Sequence, residues 1–307
     1  MTVDAASSIA ADRDTGSNSP RFSMTQETRR GLTLLSPTLV LLILTLALPI
    51  LVLIGLSFWT QVGMTLTPGF SLENYAAFFE KRIYRLVLLR SVENSAMVAS
   101  LTVILAYPAA YFIAFKVKKR KMLWLILITL PFWTSYLLRV FAWKIILGYN
   151  GVINSGLISI GLIDEPLTFL LNNREAVIIT LAHAWAAFAV LPIYVSLEKI
   201  NRSLLEASAD LGESPFWSFL RVTLPLSLPG VTAAFLLVFI PTVGDYVTPK
   251  LVGGNNGVMI GNLVQTQFGR GNNWPLGAAI SIISMVTITA VVCGVLLLMH
   301  EIRKRLA

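Results

Sequence analysis

The sequence predicts an all-α fold, a polytopic membrane helical bundle with six transmembrane helices. Three observations predict it. Of the 307 residues, 55% are hydrophobic and 13% charged, and the mean hydropathy is +0.73, outside the usage of soluble domains. Six apolar runs are each long enough to cross a hydrocarbon core of about 30 Å, which takes roughly 20 helical residues. The basic residues between those runs fall unevenly on the two sides, as in proteins threaded through a bilayer.

The runs are Leu32 to Phe58, Ser91 to Phe115, Met122 to Leu147, Ala176 to Leu197, Leu226 to Val247 and Leu276 to Met299. Pro37, Pro49, Pro108, Pro131, Pro192 and Pro241 fall in or beside them, where neighbouring helices can satisfy the backbone groups a proline frees. Residues 32–299 therefore form the transmembrane domain. Residues 1–31, polar and without the apolar core of a secretory signal, read as a flexible cytoplasmic tail. Residues 300–307 read as a second, short cytoplasmic tail.

Fifteen Lys and Arg lie on the side of the two termini and seven on the other, which places both termini in the cytoplasm. The first external loop resists this assignment with Lys81, Arg82, Arg85 and Arg90. Leu72 to Leu89 has helical spacing of apolar and charged residues, fitting either a helix along the outer membrane surface or a solvated loop helix.

Composition also narrows the chemistry. The net charge of +8 is explained by the loops, so no nucleic-acid partner is expected; membrane lipid is the expected surrounding. A lone cysteine, Cys293, and two histidines, His183 and His300, compose no disulfide, metal site or H-E-x-x-H constellation. Gly253-Gly254 and the glycines at 269 and 271 lack the Lys-Ser/Thr of a phosphate loop. The chain is not expected to be an enzyme, nor to bind a metal or cofactor itself.

The most informative stretch is the cytoplasmic loop between spans four and five, from Ser196 to Gly230. Ser203 and Glu206 form an S-x-x-E capping box for a helix over about Leu204 to Leu211, closed by Gly212. Ser214 and Pro215 start a second helix, to about Val222, presenting Phe216, Trp217, Phe219 and Leu220. Two readings stand: a helix seated in the groove of another protein, or a linker covering its own bundle.

Glu206-Ala207-Ser208, three residues, Gly212, nine residues, then Val222-Thr223-Leu224-Pro225 resembles the EAA loop of binding-protein-dependent ABC importer permeases. Ser208 stands where that pattern has Ala, and Val222 where it has Ile. The resemblance implies a permease subunit whose loop, about residues 198–225, couples to a separate ATPase through Glu206, Ala207, Ser208, Asp210, Gly212, Phe216, Leu224 and Pro225. It implies as partners an ABC ATPase dimer that uses ATP and Mg, a second permease and an external solute-binding protein, in a bacterial inner membrane. SLENY at Ser71, LPFWTSYLLR at Leu130, GDYVTPKLVGG at Gly244 and MIGNLVQTQF at Met259 are similar to the spermidine/putrescine type. Permeases for opines, amino-acid derivatives and ferric ion have similar stretches.

Ionisable groups inside a span are costly unless paired or facing water. Arg139, Lys144, His183 and Asp245 are the candidates. Counting residues at about 1.5 Å each puts Arg139, His183 and Asp245 near the outer leaflet, as substrate-path candidates. Arg139 and Asp245 would pair there, either as a gate or as a structural pair. His183 would bond a neighbouring helix or line the path, and Lys144 is expected at the interface. A secondary transporter, the main rival class, would need more in-span carboxylates or inverted half-repeats than are found.

Overall fold

The computed structural model describes residues 26–306; the expected tail lies outside that range up to residue 25. The chain divides into a first unit through Val52 and a second from Leu53 onward. Helix α1, Gln26–Ser57, makes up the described part of the first unit and continues into the second. It starts six residues before the expected Leu32, because the polar residues ahead of the apolar run continue the helix. In its membrane segment the Thr45 hydroxyl donates to the Leu41 carbonyl, which satisfies it without a second helix.

In the second unit, strands β1 (Thr60–Val62) and β2 (Thr65–Thr67) pair antiparallel, turning at Gly63, whose φ of 62° suits glycine. Helix α2, Glu73–Glu80, buries Phe78, and α3, Arg82–Tyr111, begins two residues later. Leu72 to Leu89 is thus not one surface helix. It splits at Lys81, and its second half is the entry to span two, so Arg82, Arg85 and Arg90 belong to a membrane helix.

The third span fits the six-helix expectation only as a bent pair of helices. Lys121–Trp133 and Tyr136–Ile146 meet at an 80° bend, so among the described residues five single helices are long and apolar enough to span and the remaining span is broken. Helix α4, Lys121–Thr129, passes into a tight turn over Leu130–Trp133 containing Pro131. Thr134 and Ser135 are extended before α5, Tyr136–Ile146. Proline removes a donor and restricts its neighbours, while the flanking residues stay apolar enough to hide the break from hydropathy. Helix α6, Val152–Ser159, follows, and buried Asn154 ties its loop down through the carbonyls of Gly148, Tyr149 and Leu167 and the Leu167 N–H.

Helix α7, Arg174–Glu198, is span four. Helices α8 (Arg202–Asp210) and α9 (Pro215–Ser218) make the loop, and α10, Leu224–Val243, the rest of span five. The second loop helix is not separate: Pro215–Val243 is one continuous helical span. Helix α11, Val247–Val252, packs on α5 and α7, and α12, Ile260–Phe268, packs on the last helix, α13, Trp274–Leu306. The expected C-terminal tail from residue 300 is therefore a helical extension of span six.

Helices α3, α7 and α10 form the core. Their contact faces use small residues, Ala99 and Ala110 on α3, Ala182 and Ala189 on α7, Ala234 on α10, all at most 4% exposed, as expected where close backbone approach replaces hydrophobic drive. Gly230 is the tightest point. A Cβ there would overlap Ser196 and the Pro192 carbonyl, so α7 and α10 touch through backbone.

Candidate functional sites: the docking loop and an in-span polar cluster

Lys121 bonds both the Ala114 carbonyl and the Glu198 carboxylate at 2.8 Å, which fixes the 116–121 turn and the start of the 199–223 loop at one end of the bundle. In that loop the helix start is one cap earlier than expected. Asn201, not Ser203, is the N-cap, its Oδ1 accepting the Ser203 N–H at 3.1 Å. Asn and Ser are comparable caps, and two candidates two residues apart are not separable by pattern. The helix end is as expected: Gly212 has φ +84°, its N–H bonds the Ala209 carbonyl at 2.9 Å and the Glu213 N–H bonds that of Ser208 at 3.1 Å. This paired closure needs the left-handed conformation that glycine supplies. No atom would meet a Gly212 Cβ within 4 Å, so glycine is required there by conformation and not by space.

The two capped ends sort the side chains. Ser208 is buried against α9 and the following turn, whereas Glu206, Ala207 and Asp210 are exposed. Leu211 is 85% exposed and Phe216 65%, with Trp217 beside it. The Arg221 guanidinium lies 4.8 Å from the Trp217 ring and pairs with Glu213. Phe219 alone among the loop aromatics turns inward, edge-on to Tyr107 at 5.6 Å and Tyr111 at 6.0 Å. Phe219 thus covers its own bundle, as the linker reading expects, while Leu211, Phe216 and Trp217 leave an exposed apolar face. Sequence reasoning passed over Leu211, whose signal was an apolar residue directly before the capping glycine.

Leu224 and Pro225 enter the site indirectly. The turn Phe219–Thr223 is widened, the Leu224 N–H reaching back five residues to the Phe219 carbonyl. Pro225 has no N–H for the Arg221 carbonyl and its ring crowds that carbonyl, which favours such a bulge.

At the other end of the bundle, the expected pair of Arg139 and Asp245 does not form. Asp245 lies just past the end of α10 and uses both oxygens: the Tyr136 hydroxyl donates to Oδ2 at 2.5 Å, and the Val247 N–H to Oδ1 at 2.9 Å. Tyr136 also lies 2.6 Å from the Thr248 hydroxyl. Arg139 instead stacks on Phe132 at 5.0 Å, and its buried Nε and Nη1 have no hydrogen-bond partner among the described residues. The bend before α5 redirects Arg139, so counting along a straight span misplaces it.

His183 bonds a neighbouring helix. Its Nδ1 accepts the Trp143 indole N–H at 3.0 Å, and its ring packs on Phe132 and Trp143. Lys144 is exposed. One in-span ionisable group escaped the sequence survey: Glu93 on α3 pairs with Arg174 at 2.8 Å, and Arg174 also bonds Asn94. Among the described residues no cluster of His, Cys, Asp or Glu could hold a metal ion.

Residues 75–305 match the family of binding-protein-dependent transport system inner membrane components. The spermidine/putrescine transport system permease protein PotB of Escherichia coli K12 is 39% identical over 267 residues, covering 86% of this chain and 94% of that protein. An inner membrane ABC transporter permease protein of the same organism, YdcU, is 34% identical over 78% of this chain and 80% of its own length. A solved bacterial alginate ABC transporter, in complex with a periplasmic protein bound to an alginate pentasaccharide, superposes with a TM-score of 0.66 at 18% identity, over 91% of this chain and 96% of that one; that likeness concerns the fold.

Proposed function

The chain belongs to the family of binding-protein-dependent transport system inner membrane components, and from that premise we propose that it is the permease subunit of an ABC importer for polyamines, spermidine or putrescine. The observation that carries the permease role is the loop geometry: a short helix capped at both ends, its outer face presenting Glu206, Ala207, Asp210 and Leu211, built directly onto span five. Support for the cargo comes from the similarity to PotB across nearly the whole of both chains.

In this reading a separate ATPase dimer binds Mg and ATP and receives the 198–225 loop, since this chain has no phosphate loop of its own. A second permease completes the pore, and an external binding protein delivers the cargo and sets most of the specificity. Both termini and the docking loop are cytoplasmic, supported by the excess of Lys and Arg at that end. ATP-driven closure of the ATPase dimer moves the docking helices, and the spans rock between inward and outward access. The cargo is tested by calorimetry on the purified cognate binding protein with putrescine, spermidine, an opine and ferric ion. Tight binding of a polyamine alone is expected; preference for another of these solutes would reassign the cargo and leave the permease role standing.

A further inference from the structure

The fifth span starts on a joint that is soft by construction. Its second turn, Phe219–Thr223, is widened, Pro225 supplies no N–H to the Arg221 carbonyl, and Pro229 follows inside the helix. Such a turn bends more readily than a regular one. A displacement of α8 would therefore be absorbed at the joint unless a brace crossed it.

Span two crosses it. Tyr107 of α3 touches the joint through Phe219, ring to ring at 5.6 Å, and touches α10 beyond the joint through its hydroxyl, 2.8 Å from the Ser227 hydroxyl. Tyr111, one turn on, also meets the Phe219 ring edge-on, at 6.0 Å, and packs on Phe115 at 4.9 Å. Phe115 lies in a second widened turn, Phe112–Lys116, where the Val117 N–H reaches back five residues to the Phe112 carbonyl at 3.1 Å. The two widened turns among the described residues thus lie at the same end of spans two and five and are bridged by Tyr111, which touches Phe115 in one and Phe219 in the other. Two hydroxyls at the joint, Thr223 Oγ1 and Ser208 Oγ of the docking helix, are buried without hydrogen-bond partners among the described residues. Unsatisfied buried groups in a native fold call for an explanation, and a second arrangement of the joint that pairs them would provide one.

We propose that Phe219 is the positioning residue that delivers movement of the docking helix to span two, with Tyr107 and Tyr111 receiving it, so that spans two and five move as a braced pair. The proposal rests on the importer reading. Its test uses the full complex, reconstituted with its ATPase, second permease and binding protein, and compares wild type with Phe219→Ala, Phe219→Tyr and Tyr107→Phe. Complex assembly, ATP hydrolysis and putrescine uptake are each measured.

Phe219→Ala is expected to assemble and hydrolyse ATP as wild type does, while uptake per ATP falls about tenfold, within the range that coupling residues command. Phe219→Tyr, which keeps the ring, restores uptake per ATP to within about twofold, and Tyr107→Phe, which loses only the Ser227 bond, gives a loss between the two. Unchanged uptake per ATP in an assembled Phe219→Ala complex overturns the proposal. Should Phe219→Ala fail to assemble, Tyr107→Phe decides, and unchanged coupling in it overturns the brace. Wild-type complex that shows no ATP-dependent uptake of the solute its binding protein binds defeats the importer reading instead.

Discussion

The 198–225 loop and the polar cluster around Asp245 and His183 sit at opposite ends of the bundle, and they are specified in opposite ways. The loop is built from local rules: an Asn cap, a left-handed glycine, and a proline that widens the next turn, all within 25 residues of chain. The cluster is built from partners far apart in sequence, Tyr136 with Asp245 and Trp143 with His183. Local devices can be read from spacing. Long-range pairs depend on where the helices bend and cross, and the 80° break in span three decides which side chain meets Asp245.

The largest effect expected from this contrast is at Gly212. Gly212→Val places a β-branched residue at φ +84°, a region such residues avoid at a cost of about 1–3 kcal/mol, and should abolish co-purification of the ATPase. Gly212→Asn should retain most of it, because Asn tolerates that conformation and the space is open. If Val and Asn behave alike, the requirement is not conformational.

Next comes Leu211→Asp, which removes an 85% exposed apolar knob. A loss of about tenfold in ATPase affinity is expected, with thermal unfolding unchanged, as for a residue central to an interface. A fall in Tm with affinity intact would return Leu211 to the bundle.

In the cluster, Tyr136→Phe should destabilise the protein by about 1.5–3 kcal/mol, the scale of a hydrogen bond to a charged group. A double-mutant cycle between Arg139→Gln and Asp245→Asn should show coupling below about 0.5 kcal/mol, because the two do not pair. Coupling well above that would restore the expected ion pair. The smallest effects separate the two caps: Asn201→Ala should cost about 1 kcal/mol, and Ser203→Ala less than about 0.5, both read by chemical unfolding.

Much of the architecture was legible because each span is a continuous apolar run, and apolarity is a sum over neighbours in sequence. The break in span three was not legible for the same reason: Leu130, Pro131, Phe132 and Trp133 keep the run apolar while the backbone turns. Glu93 escaped because its cost is relieved by Arg174, 81 positions away at the start of span four. The loop motif marked out residues 198–225, and the structure divides the residues inside it. Glu206, Ala207 and Asp210 face outward, Ser208 faces inward, and Leu224 with Pro225 shape the joint behind it.

The most direct test is putrescine uptake into proteoliposomes holding this chain and a second permease, with the loaded binding protein present, with and without the ATPase. The account predicts uptake that requires both the ATPase and ATP, and that Gly212→Val reduces to background. Uptake by the wild-type permease pair without any ATPase would contradict it.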